Sequence, residues 1–264
     1  ARDTGARTMA VEQEDEGPRP SAAFAPNRAG LNRFVWDLRH PPFRRFPGLV
    51  LWAGSPIGPA VPPGRYQVRL TIGGRSQTQS FEVRLDPRLQ GKVTQADLER
   101  RYGLARQVYD AVNAAHDAVA RIRSLRAQID SVRPRVRDAA LQQRLREFTD
   151  SLTAVEATIY ETRLEANQDA LNFGTKLNNK LANLLAQLEQ AEAAPTRPQE
   201  DLFQALSAQL QAALARLDRA LAGLPELNTA LRRARLPELR PAAPDTDRPT
   251  VAAGEPSDED GLTR

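Results

Sequence analysis

The chain contains no cysteine, so disulfides, thiolate metal sites and thiol catalysis are excluded together. Histidine occurs only at His40 and His116, which leaves little for proton shuttling near neutral pH. Lysine occurs only at positions 92, 176 and 180, so the basic charge is almost entirely arginine. No apolar run approaches the roughly 18 residues that a membrane-spanning helix needs. Phosphate loops, dinucleotide-binding glycine fingerprints, serine-nucleophile elbows and zinc-protease motifs are all missing. Gly73-Gly74 marks a turn and not a phosphate cradle, because no helix start follows it. The first residue is Ala1, with no signal-peptide pattern after it, which reads as a processed end or a cut.

What is present falls into contrasting segments. Residues 1–29 mix Gly, Pro and Ala with acids from Glu12 to Glu16 and show no period, so an irregular lead-in is expected. Residues 30–88 alternate with a period of two. Phe34, Trp36 and Leu38 share one face of a first strand. Tyr66, Val68, Leu70 and Ile72 share one face of a second. Phe81, Val83 and Leu85 share one face of a third, which runs to Asp86-Pro87-Arg88. Residues 39–64 are a Pro- and Gly-rich connection with one short strand expected near Val50–Trp52. Such alternation predicts one buried face and one wet face, as in an antiparallel Ig-like sandwich. Three or four strands are fewer than the roughly seven of a whole sandwich. The remaining strands are expected upstream, the other possibility being that the helical part covers the face.

From Thr94 the period changes to 3.6. Thr94 and Asp97 form a capping pattern, and Leu98, Tyr102, Ala105, Tyr109, Val112, His116, Val119, Ile122, Ile129 and Val132 form one stripe that stops at Pro134. A second helix over 135–166 carries Leu141, Leu145, Phe148, Leu152, Val155 and Ile159. A third over 175–193 carries Leu177, Leu181, Leu184 and Leu188. A fourth opens at Thr196 with Pro198 and Gln199, carries Leu202, Leu206, Leu210, Ala213, Leu217 and Leu221, and meets Pro225. A last short helix ends near Pro237. Residues 92–240 therefore read as an antiparallel helical bundle or long helical hairpins, and the fold class as α+β, mostly α. Residues 241–264 are rich in Pro, Asp and Glu and read as a disordered acidic tail.

Charge is uneven along the chain. Segment 30–88 has nine Arg against Asp37, Glu82 and Asp86, while 241–264 has six acids against Arg248 and Arg264. No aromatic-and-basic groove motif accompanies the arginines, so they read as a solvated surface and nucleic-acid binding is not expected. His116 lies on the apolar stripe and reads as a core or seam residue. Trp36 points with Phe34 and Leu38 toward a core, and Asp37 is placed to satisfy turn amides. No metal, cofactor or catalytic residue is assigned. One local motif stands out, Leu171 to Leu181. Its Asn172, Phe173, Lys176, Asn178, Asn179 and Lys180 are the candidate docking residues, with the amides of Asn178 and Asn179 suited to binding backbone of a neighbouring element.

Four sets of residues carry a family resemblance. Gly30 to Arg39, then Pro62 to Leu70, then the strand ending Leu85-Asp86-Pro87-Arg88 resemble the C-terminal region of large bacterial BNR-repeat, sortilin-like proteins, often called glycosyl hydrolases. Asp169 to Phe173 followed by Lys176 to Leu181 is similar to the long helical tail of that family. The resemblance covers about residues 27–240. It implies an exported parent protein and a β-propeller preceding this region, with the propeller as its partner. It carries over no catalytic residue. The function it implies is a non-catalytic accessory region, structural or partner-docking. A self-associating coiled-coil adaptor and a supporting domain of an active glycosidase are the alternatives.

Overall fold

The computed structural model describes residues 29–242. The expectations of an irregular lead-in and an acidic tail fall on residues outside these, save for positions 29, 241 and 242. The chain divides at Trp36–Asp37 into two units. In the first, residues 29–36 form neither helix nor strand, and Leu31, Phe34 and Val35 are exposed.

The second unit is mostly helical with a small β part. Helix α1 (Gln95–Val132) is followed by α2 (Ala139–Ile159), the single turn α3 (Ala170–Phe173), α4 (Leu177–Leu188), α5 (Arg197–Ala222) and α6 (Leu224–Arg233). Each of α1, α2, α4 and α5 packs against the other three, and α6 lies against α2 and α5. The starts follow local chemistry. Thr94 Oγ1 accepts from the Asp97 amide at 3.2 Å while Asp97 Oδ2 accepts from the Thr94 amide at 3.1 Å. Asp138 Oδ1 accepts from the Leu141 amide at 2.7 Å, and Gln199 Oε1 from the Thr196 amide at 2.9 Å.

Leu98, Ala105, Val112, Val119, Ile122, Ile129 and Val132 are buried, as the stripe of α1 predicts. Leu104, Val108, Ala115, Ala118 and Leu125, off that stripe, are buried too. Helix α1 is covered over a wider arc than one amphipathic face because a second layer lies on it. That layer is the Pro- and Gly-rich segment 39–61, which runs as a strap over the helices and inserts Phe43, Phe46 and Leu49 into the shared core. The short strand expected near Val50–Trp52 does not form.

Among the described residues the β part is one antiparallel hairpin, and no sandwich forms. Strand β1 (Gly64–Ile72) pairs antiparallel with β2 (Arg75–Val83), Tyr66 opposite Phe81 and Ile72 opposite Arg75. Gly73 and Gly74, at φ +55° and +79°, make the two-residue turn whose twist matches the strands. The third expected strand is thus β2, but the first, over 30–38, is not formed. Only Arg39 makes a bridge, to Ala60. Leu38 has φ +61°, which turns the chain out of an extended path, and the facing Pro59, Pro62 and Pro63 have no N–H to give a ladder. With no third strand beside it, the apolar row of β1 stays in solvent: Val68, Leu70 and Ile72 are 51%, 54% and 69% exposed. Leu38 and Phe34, expected in a core, are exposed as well.

The strap lies so close to α4 that glycine is required. A Cβ on Gly54, which has φ +88°, would sit 2.6 Å from the backbone carbonyl of Ala182. Gly54→Ala combines a disfavoured backbone angle with a clash against a helix backbone that cannot move aside. It is expected to lower unfolding free energy by about 2–4 kcal/mol in urea titrations, whereas Gly103→Ala, on α1 with open space around it, should raise it by up to about 1 kcal/mol.

Candidate docking surface

An irregular segment laid on a core carries backbone N–H and C=O groups with no ladder to satisfy them. In the strap these groups are met by side chains from three helices. The Arg44 amide donates to Asn113 Oδ1 at 2.7 Å, and His116 Nδ1 donates to the Arg44 carbonyl at 2.6 Å. Tyr160, the residue that ends α2, donates its hydroxyl to the Gly48 carbonyl at 3.1 Å and accepts from the Val50 amide at 3.2 Å. The Ala53 amide donates to Asn179 Oδ1 at 3.2 Å on α4. Just past the C-terminus of α4, Glu189 Oε2 accepts from the Ala60 amide at 3.1 Å and from the Arg39 guanidinium. Arg123 Nη1 donates to the Pro47 carbonyl at 2.8 Å. Arg44 forms a two-pronged pair with Asp117, which raises its pKa, the hydrogen bond being the main cause. Two arginines of the basic segment 30–88 are thereby committed to internal acids.

Both histidines belong to this seam. His116 is 1% exposed, with the edges of Phe43 and Phe46 against its ring at centroid distances of 5.4 and 5.2 Å. Because Nδ1 donates to Arg44, Nε2 is the unprotonated nitrogen, and it is buried without a partner. Burial holds its pKa down to about 4. His40 contacts the Tyr102 hydroxyl through Nε2 at 2.7 Å and faces Arg106 at Nδ1. Burial first, and the Arg106 charge second, bring it to about 4. Beneath the strap, Glu156 is 1% exposed and accepts from Arg123 and Arg126, each at 2.7 Å. The Arg123 guanidinium also stacks on Phe46 and Tyr160.

The candidate docking motif splits into an inward and an outward half. Asn178 and Asn179, in the first turn of α4, are 1% and 2% exposed. Asn179 Oδ1 binds strap backbone, the role its residue type suits, while the amide nitrogens of both Asn178 and Asn179 are buried without a partner. Asn172, Phe173 and Lys180 face solvent. The Phe173 ring lies under the Arg163 guanidinium at 4.4 Å. Arg163 and Lys176 both pair with Glu161, whose carboxyl is held down to about 2, chiefly by its hydrogen bond to Arg163. The motif is therefore not one continuous surface.

Asn113, Glu156, Tyr160 and Glu189 were not singled out from sequence. A signal existed for Glu156, which interrupts the apolar run Leu152, Val155, Ile159 at a helical spacing. Trp52 is 50% exposed on the strap and so is not a core residue. Asp37 does what was expected of it, accepting from the Arg39 amide at 3.0 Å. Among the described residues no group of three or more His, Asp or Glu side chains is placed to hold a metal ion, and no helix is long and apolar enough to cross a membrane. No family model, curated protein or solved structure matches the chain.

The outward apolar surface is led by the hairpin row Val68, Leu70 and Ile72, on a ribbon whose link to α1 includes a hydrogen bond from Gln95 to the Pro63 carbonyl at 2.8 Å. The polar seam behind it can be tested directly. Tyr160→Phe removes the partner of one carbonyl and one amide in a dry interface and is expected to cost about 1–3 kcal/mol. Its signature in chemical unfolding is a lower midpoint at unchanged slope.

Proposed function

We propose that this chain is a non-catalytic docking and support region of a larger exported protein of the BNR-repeat, sortilin-like kind, with the helical body as platform and the hairpin as contact element. The observation that carries the reading is the apolar row Val68, Leu70 and Ile72, more than half exposed on a two-stranded ribbon. An isolated ribbon of this kind is marginal in water and gains stability once a further strand or sheet covers its apolar side. The occupant proposed is the β-propeller that the resemblance places upstream, whose blades are themselves antiparallel sheets. The polar side chains that drew notice as chemistry, His40, His116 and Asn179, are occupied in holding the strap.

Two measurements test this. The upstream part of the same gene is expected to encode propeller repeats, and that propeller, expressed separately, to bind the chain. Val68→Lys with Ile72→Lys should weaken that binding at least tenfold while changing the unfolding free energy of the helical body by less than about 0.5 kcal/mol. Undiminished binding by the double variant, a gene without propeller repeats, or glycoside turnover by residues 1–264 alone would each sink the proposal. A concentration-dependent dimer in sedimentation, abolished by the same substitutions, would replace it with self-association.

A further inference from the structure

We propose that residues 40–53 of the strap form an acid-released clasp on α1, opening as a unit while the helices beneath stay folded. The clasp is seated through both histidines of the chain, one contributed from each side. His40 comes from the strap and contacts Tyr102 of α1; His116 comes from α1 and donates to the Arg44 carbonyl of the strap. Each is seated as a neutral ring. His116 Nε2 lies in an aromatic wall made by Phe43 and Phe46, with no acceptor within reach for a second proton. His40 Nδ1 faces the Arg106 guanidinium, which can only donate.

The charged groups around these rings do not reverse that preference. Arg44 and Arg45 on the strap oppose a charge on His116, and Asp117 on α1 favours it but is already paired with Arg44. Arg123 and the Tyr160 ring close the far side of Phe46. Around His40, Arg106 opposes a charge and is itself paired with Asp110, while Tyr102 is neutral, its pKa raised by burial. Protonation of either ring therefore places a cation where nothing receives it. Lifting the strap returns that ring to water.

The sign follows from linkage. Both histidines have folded-state values of about 4, below their ordinary 6.5. The closed clasp is thus favoured fully above pH 6.5 and progressively less as pH falls toward 4. For His116 alone the opening equilibrium shifts on the order of 50-fold between pH 7 and pH 4.5. The Asn113 and Asn179 anchors of the strap carry no titratable group, and neither do the backbone hydrogen bonds within α1. That difference makes the opening local. The clasp is independent of whatever the hairpin docks against.

Hydrogen exchange on the full chain is the test, with protection factors corrected for intrinsic rates. The probes are the amides of Arg44, Leu49, Val50 and Ala53, each hydrogen-bonded in the seated strap. They are expected to lose about 50-fold or more in protection from pH 7 to 4.5, while central α1 amides and far-UV helicity hold. His116→Gln keeps a donor for the Arg44 carbonyl without titrating and should flatten the response; His40→Gln is the second variant should the first fold poorly. Constant strap protection, simultaneous loss in strap and helices, or a full acid response in both variants would overturn the clasp.

Discussion

Everything in the helical body depends on one constraint: the backbone of residues 39–61 must be buried without regular secondary structure. Five prolines, Pro41, Pro42, Pro47, Pro56 and Pro59, deny that segment a helix or a continuous ladder. Its phenylalanines nevertheless belong in the core. Burying such a chain leaves amides and carbonyls that cost free energy unless another group bonds them. The helices and their C-terminal ends answer with Asn113, His116, Tyr160, Asn179 and Glu189. The polar residues inside the bundle are thus the counterpart of the prolines outside it.

The same constraint decides the two faces of the molecule. On the strap side α1 is covered over a wide arc, and the arginines Arg39 and Arg44 are drawn into pairs with Glu189 and Asp117. These pairs are partly buried and each is held by further hydrogen bonds to the same acid or guanidinium, which gives them a directional role that isolated surface pairs lack. On the hairpin side nothing among the described residues plays the part of the strap, and the apolar row of β1 remains exposed. One Pro-rich connection found its partner within the chain, and the ribbon that follows it presents an apolar row outward.

Much of this was legible in the residues. The helix starts at Thr94 and Thr196 and the stop before Pro134 were, because capping pairs and breakers act within a single turn; the second helix, expected over 135–166, spans only Ala139–Ile159, because Tyr160 turns to extended backbone where no proline or glycine marks the end. The hairpin was, because Gly73-Gly74 selects a turn whose geometry sets the register of both strands. The suitability of Asn179 for binding backbone was also legible, as its side chain carries a donor and an acceptor at a helix start. The sandwich was not, because period-two alternation reports only that a strand has an apolar side and is silent on whether anything covers it. The stretch 30–38 alternates well, yet the left-handed turn at Leu38 and the prolines facing it keep the ladder from extending.

By itself the sequence determined the local events: where the capped helices begin, where proline stops α1, where the ribbon turns, and that cysteine chemistry is excluded. These rest on interactions within a few residues, which composition and spacing report faithfully. Only the tertiary structure decided that residues 39–61 lie as a strap over α1, that His40 and His116 both belong to that seam, and that Asn178 and Asn179 face inward while Phe173 and Lys180 face out. Those outcomes depend on hydrogen bonds between residues 60 to 130 positions apart, which no periodicity records.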